Sequence, residues 1–382
     1  VYSAPSDVLV VGIGADGWDG LSPVAREAIS SRSVLMGSAR QLSLVPGSFE
    51  RVEWPSPLLP ALPGLLERHS DVCVLASGDP MFHGIGTTLV RLLGSARVRV
   101  IPHPSSASLA CARLGWALDA VSVVSLVGRP VDLLRPELQP GRRVLVLGGD
   151  PAEVAALAGP ITVLEQLGGP AERVSQWDGS PVDPLHVIAF EYAGEGLSRV
   201  PGLPDDAFDH DGQITKREVR AVSLSTLAPL PGQLLWDVGA GAGSIAIEWS
   251  RTHPSCRAIA IEQSVERAER LRHNTSALGV PGVAVCVGRA PEALKDLDAP
   301  DAVFIGGGLT VQGVVETCWA ALKPGGRLVV NAVTLESEAV VASWYSKLGG
   351  SLVRVSVSRG SAVGGFTGWR PHMPVTTWSV TK

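Results

Sequence analysis

The sequence predicts an α/β protein of two domains, and three observations predict it. Short apolar runs of β type alternate with helical segments along the chain, the pattern of largely parallel sheets covered by helices. Two of those runs, at residues 8–11 and 234–238, empty into glycine-rich turns that open helices. Residues 194–206, dense in glycine, proline and charge, break both periodicities and mark a boundary. With 382 residues, 45% of them hydrophobic, the chain has material for two cores. The expected domains are residues 1–200 and 207–382.

Composition narrows the partners. A net charge of −5 argues against a nucleic-acid surface, which is usually basic. Cys73, Cys111, Cys256, Cys286 and Cys318 show no Cys-x-x-Cys pairing and read as thiols in a reducing compartment. No apolar run approaches the ~20 residues of a membrane span, and the first residues lack a signal-peptide pattern. A cytoplasmic protein is expected, with neither membrane nor nucleic acid as partner. No His/Cys/Asp cluster has metal-ligand spacing, so no protein-bound metal is expected.

In chain order, the strand at 8–11 leads into Gly12-Ile13-Gly14-Ala15-Asp16-Gly17. Ser22 followed by Pro23 is a cap and first-turn pair for a helix through about residue 30. The glycines fit dinucleotide spacing formally, but no acid ends the next strand, Val34-Leu35-Met36-Gly37. A plain strand-to-helix turn accounts for them better. A strand at 71–76 runs into Ser77-Gly78-Asp79-Pro80-Met81-Phe82-His83-Gly84-Ile85-Gly86 and a helix. Another at 98–101 precedes Pro102-His103-Pro104-Ser105-Ser106 and a second helix. Further β-type runs lie at 121–126, 143–147, 161–164 and 186–192. Taken together, the Gly78-Asp79-Pro80 loop and the Ser105-Ser106 pair resemble the tetrapyrrole methyltransferase family of cobalamin biosynthesis, over residues 7–193. The resemblance implies two lobes with a cleft holding folded S-adenosylmethionine. The implied cofactor contacts are Gly12, Gly14, Gly78, Asp79, Pro80, Ser105 and Ser106. The sequence departs at Ala15-Asp16, where relatives commonly carry a proline before the glycine.

In the second half, Thr215 with Glu218 three residues on has the capping-box pattern for a helix carrying Val219, Val222, Leu224 and Leu227. The strand at 234–238 then ends in Asp237-Val238-Gly239-Ala240-Gly241-Ala242-Gly243-Ser244. A dehydrogenase loop would place glycine or alanine at 244, where serine stands. The next strand, 257–262, ends in Glu262, a carboxylate able to accept both hydroxyl hydrogens of an adenosine ribose. A third strand at 283–287 ends in Gly288-Arg289-Ala290, suited to an adenine edge. A fourth, 301–305, ends in Gly306-Gly307-Gly308. Leu322-Lys323-Pro324-Gly325-Gly326-Arg327-Leu328 turns a helix into the fifth, and a helix at 336–348 follows. Strands at 352–357 and 375–380 close the chain, with residues 360–372 reading as a glycine-rich loop that could serve as a lid.

This order resembles the Rossmann-like seven-stranded methyltransferase fold, whose last strand inserts antiparallel. It implies cofactor contacts from Thr215, Asp237, Gly239, Ala240, Gly241, Ala242, Gly243, Glu262, Arg289 and Ala290. A substrate rich in carboxylates calls for cations. The candidates are Lys216, Arg220, Arg359 and Arg370, with Arg217 and Arg289 nearby and room at Gly306 and Gly307. The two halves in this order resemble the fused corrin-pathway methyltransferases. That resemblance implies a bifunctional enzyme, one S-adenosylmethionine per domain, that takes precorrin-6B to precorrin-8X. The N-terminal domain would methylate carbon 5. The C-terminal domain would methylate carbon 15 and decarboxylate the carbon-12 acetate. A homo-oligomer is expected by the same analogy. Meso carbons of a reduced tetrapyrrole are enamine-like nucleophiles, so the reaction asks chiefly for positioning and desolvation, and no catalytic acid or base is assigned. Two alternatives stand beside this reading. One is an RNA methyltransferase, disfavoured by the acidic balance, the 5% aromatic content and the lack of an Asn-Pro-Pro-Tyr motif after the fourth strand. The other makes one half a non-catalytic binding module, disfavoured by both intact glycine loops.

Overall fold

The structure is a computed structural model, describing residues 8–69 and 71–382. The chain divides into two compact units, residues 1–131 with 140–194, and residues 132–139 with 195–382.

The first unit holds two sheets. Strands β1 (Val8–Ile13), β2 (Val34–Gly37), β3 (Glu50–Glu53), β4 (Val72–Ser77) and β5 (Val98–Ile101) form a parallel sheet in the order β3-β2-β4-β1-β5. The inner strands are continuous apolar runs because both faces are covered. Val8 and Val10 of β1 enter one core, while Leu9, Val11 and Ile13 enter the other. The Ser22 cap forms as the sequence predicts, accepting from Ala25 N at 3.2 Å with Pro23 in the first turn. Strands β6 (Val121–Ser125), β7 (Arg143–Leu147), β8 (Thr162–Glu165), β9 (Arg173–Gln176) and β10 (His186–Glu191) make a mixed second sheet, ordered β6-β7-β10-β8-β9.

The second unit contains β11 (Leu234–Val238), β12 (Arg257–Glu262), β13 (Ala284–Val287), β14 (Ala302–Ile305), β15 (Arg327–Ala332), β16 (Ser351–Val355), β17 (Ser358–Val363), β18 (Phe366–Pro371) and β19 (Val375–Thr381). Seven of them form one sheet in the order β13-β12-β11-β14-β15-β19-β16, with β19 antiparallel to both neighbours. Alternation along β11 sends Leu235 into one core and Trp236 and Val238 into the other. This is the Rossmann-like arrangement expected of the second half.

Two expectations need correction. Residues 360–372 are largely not a loop, since β17 and β18 pair as a hairpin through a Gly364-Gly365 turn. The tight turn lets Val363 face Phe366, and the glycines that suggested a loop lie within the strands as well as at the turn. Thr215 is not the helix cap: the helix Arg217–Leu227 starts from Lys216 without a side-chain cap bond. Arg220 takes the Thr215 carbonyl instead, and Glu218 turns to Arg359. The boundary stretch at 195–206 is tied to the second unit. Glu248 accepts from Gly202 N at 2.6 Å and Leu203 N at 3.0 Å, and Arg199 pairs with Glu137.

Candidate active sites

In the second unit, the carboxyl ends of the parallel strands open on a cavity of about 940 Å³. β11 is buried throughout and delivers Asp237 to its wall. Asp237 Oδ2 accepts from Ala246 N at 3.0 Å. Burial, helped by the charge of Glu262, pushes its carboxyl up to about 7. Gly239 has φ +71°, and a Cβ there would sit 2.6 Å from Gly307 Cα, so the first and fourth loops touch backbone to backbone. Gly239 N and Ala240 N donate to Ile261 O at 2.9 and 3.0 Å. Glu262 is held at both oxygens: Oε2 accepts from Gly241 N and Oε1 from Ser264 N, each at 2.9 Å. The loop that follows β11 is thus bolted to the acid that ends β12.

Most residues predicted for this site do line the cavity: Thr215, Lys216, Asp237, Gly239, Ala240, Gly241, Ala242, Glu262, Arg289, Ala290, Gly306 and Gly307. Four do not. Gly243 lies behind the wall, where a Cβ would meet Leu271 Cγ at 2.6 Å, so it serves helix packing. Arg220 is fully buried and spent internally, on Glu248 at 2.6 Å, Asp205 at 3.2 Å, and the carbonyls of Thr215 and Leu203. Arg359 is drawn off by Glu218 at 2.6 Å and Asp205 at 3.2 Å. Arg370 belongs to an exposed strand of the hairpin and is absent from the wall. Sequence reasoning missed the far wall, where Asn331, Val333, Thr334, Val357 and His372 stand. Their signal was topological: they sit at or just beyond ends of β15, β16 and β18, which only the strand order brings to one side.

The cavity's first loop leaves room at its backbone. A Cβ on Gly241 would find only Gln213 O, at 3.7 Å, so the loop offers open space beside its backbone. Glu262 keeps lone pairs for a ribose after accepting its two N–H groups.

The first unit gathers its predicted residues at the carboxyl edge of its parallel sheet. A Cβ on Gly12 would lie 2.0 Å from Gly78 O and 2.7 Å from His103 N. One on Gly14 would lie 2.5 Å from Asp16 Oδ1. The loops after β1, β4 and β5 therefore converge. Some side chains there have local duties. Asp79 Oδ1 accepts from Met81 N at 2.8 Å, and Ser105 caps the helix Ser106–Leu114 through Ser108 N at 3.0 Å. Pro80 O receives Gly86 N at 3.0 Å. The departure at Asp16 has a structural counterpart: its Oδ2 lies 3.3 Å from His103 Nε2, and Oδ1 is buried without a partner.

Fold and sites together define a fusion of a tetrapyrrole-methyltransferase unit with a Rossmann-like methyltransferase unit. The known proteins agree. Residues 7–178 match the family described as tetrapyrrole (corrin/porphyrin) methylases, and residues 206–382 the precorrin methyltransferase domain. The chain is 49% identical to a precorrin-6Y C(5,15)-methyltransferase (decarboxylating) of Sinorhizobium sp., over 98% of this chain and 96% of that one. It is 48% identical to the protein of that name from Mycobacterium tuberculosis, over 98% of this chain and 100% of the relative. Among solved structures, the C-terminal domain of precorrin-6Y C5,15-methyltransferase from Rhodobacter capsulatus covers 49% of this chain and 100% of its own, at 43% identity and TM-score 0.47. The chain belongs to the precorrin-6Y C5,15-methyltransferase (decarboxylating) family.

Proposed function

We propose that the chain methylates a precorrin twice and decarboxylates it once, with one S-adenosylmethionine in each unit. The first unit methylates carbon 5. The second methylates carbon 15 and removes carbon dioxide from the carbon-12 acetate, completing the conversion of precorrin-6B to precorrin-8X in cobalamin biosynthesis. The observation that carries this reading is the second unit's cavity. There the glycine loop and Glu262 line one side of a cavity of about 940 Å³, and Asn331, Val333, Thr334 and His372 also line it. When bound, the cofactor supplies an electrophilic methyl on a sulfonium. The chain's own residues orient and desolvate: Glu262 and the Gly239–Ala242 backbone fix the donor, while Lys216 offers a cation to an acceptor carboxylate. The same reading takes the chain as a cytoplasmic homo-oligomer acting on a free small molecule, and the net charge of −5 supports the exclusion of nucleic acid.

Calorimetry with S-adenosylmethionine tests the division of labour. Two sites per chain are expected, and one site sinks the two-centre version. Incubation with precorrin-6B and methyl-labelled cofactor, followed by mass spectrometry, tests the reaction. A product gaining two labelled methyls and losing carbon dioxide is expected; label appearing in RNA and not in the macrocycle would favour the alternative acceptor.

A further inference from the structure

Several arginines of the first unit are answered by protein groups. Arg32 pairs with Asp71 at 2.9 Å, Arg143 with Glu191 at 2.9 Å, Arg173 with Glu165 at 2.6 Å, and Arg113 with Glu172. Arg26 and Arg51 cap backbone carbonyls. Arg40 differs. It is half-buried, and among the described residues its hydrogen-bond partner is a neutral one, Ser77 Oγ, which accepts from Nη2 at 2.9 Å. No carboxylate among the described residues lies within ion-pair distance of it. Burial weakens its hold on its proton, as expected for a guanidinium taken from water without a counter-charge. The acid that acts on it from farther away, Asp183, is already engaged. Asp183 hydrogen-bonds Gln166, and its Oδ1 accepts from Leu185 N at 2.7 Å.

The position of Arg40 is built. The helix Ala39–Ser43 follows β2 directly and is fixed by a reciprocal cap: Ser38 Oγ accepts from Gln41 N at 3.3 Å, and Gln41 Oε1 from Ser38 N at 2.8 Å. Gln41 Nε2 also donates to Ser77 Oγ, at 3.0 Å. Two donors thus tie this helix to the residue that precedes Gly78-Asp79-Pro80. β2 and β4 are neighbours, and both end at the edge where sheets of this kind hold ligands.

We propose that Arg40 anchors a carboxylate of a ligand bound at the carboxyl edge of the first unit's parallel sheet. The inference rests on the function proposed above, which brings two carboxylate sources to this unit: the acidic side chains of the macrocycle and the aminoacyl end of the cofactor. With Nη2 turned to Ser77, the remaining N–H groups of the fork are available to a planar carboxylate. The anchor fixes which way the ligand lies against the Gly78-Asp79-Pro80 loop.

The test uses the full-length chain and two variants. Arg40→Met keeps the aliphatic packing and removes the charge, while Arg40→Lys keeps the charge and removes the fork. S-adenosylmethionine binding is read by calorimetry, precorrin-6B binding by quenching of tryptophan fluorescence, and carbon-5 methylation by product mass. Arg40→Met is expected to weaken one ligand about ten- to a hundredfold, the range of a lost charge-assisted bond, with Arg40→Lys intermediate and carbon-15 methylation unchanged. Weakened macrocycle with intact cofactor binding assigns the carboxylate to the macrocycle; the reverse assigns it to the cofactor. Wild-type affinities for both ligands in Arg40→Met overturn the anchor alone. So does a lowered melting midpoint in both variants with both ligands lost, which makes Arg40 a residue of the fold. A wild-type chain that binds neither ligand sinks the parent reading, and the anchor with it.

Discussion

A glycine-rich turn leaves the first strand of each unit, and the two turns use glycine for different ends. After β11, Gly239 and Gly241 have φ of +71° and +56°, and both line a cavity. After β1, the space a side chain would need at Gly12 and Gly14 is filled by the protein itself: Gly78 O, His103 and Asp16. One turn holds backbone open beside a ligand site. The other lets three loops close on one another. The spacing of glycines is similar in both, so what decides is the occupant of the missing Cβ position. The arginines Arg220 and Arg40 repeat the contrast. Arg220 is saturated by protein acceptors and serves the fold, whereas Arg40 meets one hydroxyl and is left for a ligand.

The largest effect is expected at Arg220. Its guanidinium joins Glu248 and Asp205 and lies 4.8 Å from the Phe208 ring, while Glu248 holds Gly202 N and Leu203 N. Arg220→Met would leave a buried carboxylate without its counter-charge, a loss of about 3–5 kcal/mol. Chemical denaturation should show it in the second unit's transition. Arg40→Met should leave the first unit's transition within about 0.5 kcal/mol. Equal losses in the two variants would break the contrast between a structural and a ligand-facing arginine.

Glycine-to-alanine changes come next. At Gly12 a methyl would meet the Gly78 carbonyl at 2.0 Å, and backbone on both sides resists movement. The cost should be about 3 kcal/mol, at the upper end of overpacking. At Gly241 the methyl would find open space, so the cost is the left-handed conformation alone, about 1–2 kcal/mol. The ligand consequences run the other way. Gly241→Ala should lower the second unit's cofactor affinity at least tenfold by calorimetry, because the methyl enters the cavity. Gly12→Ala should lower the midpoint of the first unit's transition, the loss falling on stability first. If Gly241→Ala binds cofactor normally, the turn after β11 is a packing turn like its counterpart.

What could be read from the sequence follows the same physics. Inner strands such as β4 and β11 are continuous apolar runs and were legible as such. Two edge strands were not: β3 reads Glu-Arg-Val-Glu, and β9, Arg-Val-Ser-Gln, is exposed along its length. The helix Leu58–Arg68 was hidden by Pro60 and Pro63, residues that ordinarily argue against one. The backbone-defined candidates reach the cavity wall because loop position follows from strand position. The charged candidates Arg220 and Arg359 stay off the cavity wall because a sequence does not show which acid will claim an arginine first, and Arg370 stays off it because it sits on the exposed hairpin. Arg40 escaped notice for the complementary reason. What marks it is the absence of a claimant, and that is visible only once every neighbour is in place.

The effect expected at Asp237 is a slope with pH. The folded state holds this carboxyl near 7, chiefly through burial, against about 3.9 for a free aspartate. Between those values the folded chain keeps a proton that the unfolded chain gives up. Its contribution to stability is therefore complete below about pH 4 and is lost as pH rises through about 7. The carboxylates held low by partners, such as Asp211 beside Gln213 N and Arg267, act in the opposite sense and at lower pH. The window from pH 5 to 8 isolates Asp237 from them. Across it, the melting midpoint of the second unit should fall by a few degrees in the wild-type chain. Asp237→Asn keeps an oxygen to accept from Ala246 N, carries no titrating proton, and should flatten that fall. An equal fall in the variant would show that the carboxyl is ionised throughout the window. The acid would then stand as a permanent charge beside the glycine turn, and the two units' turns would differ in electrostatics as well as in the space they leave.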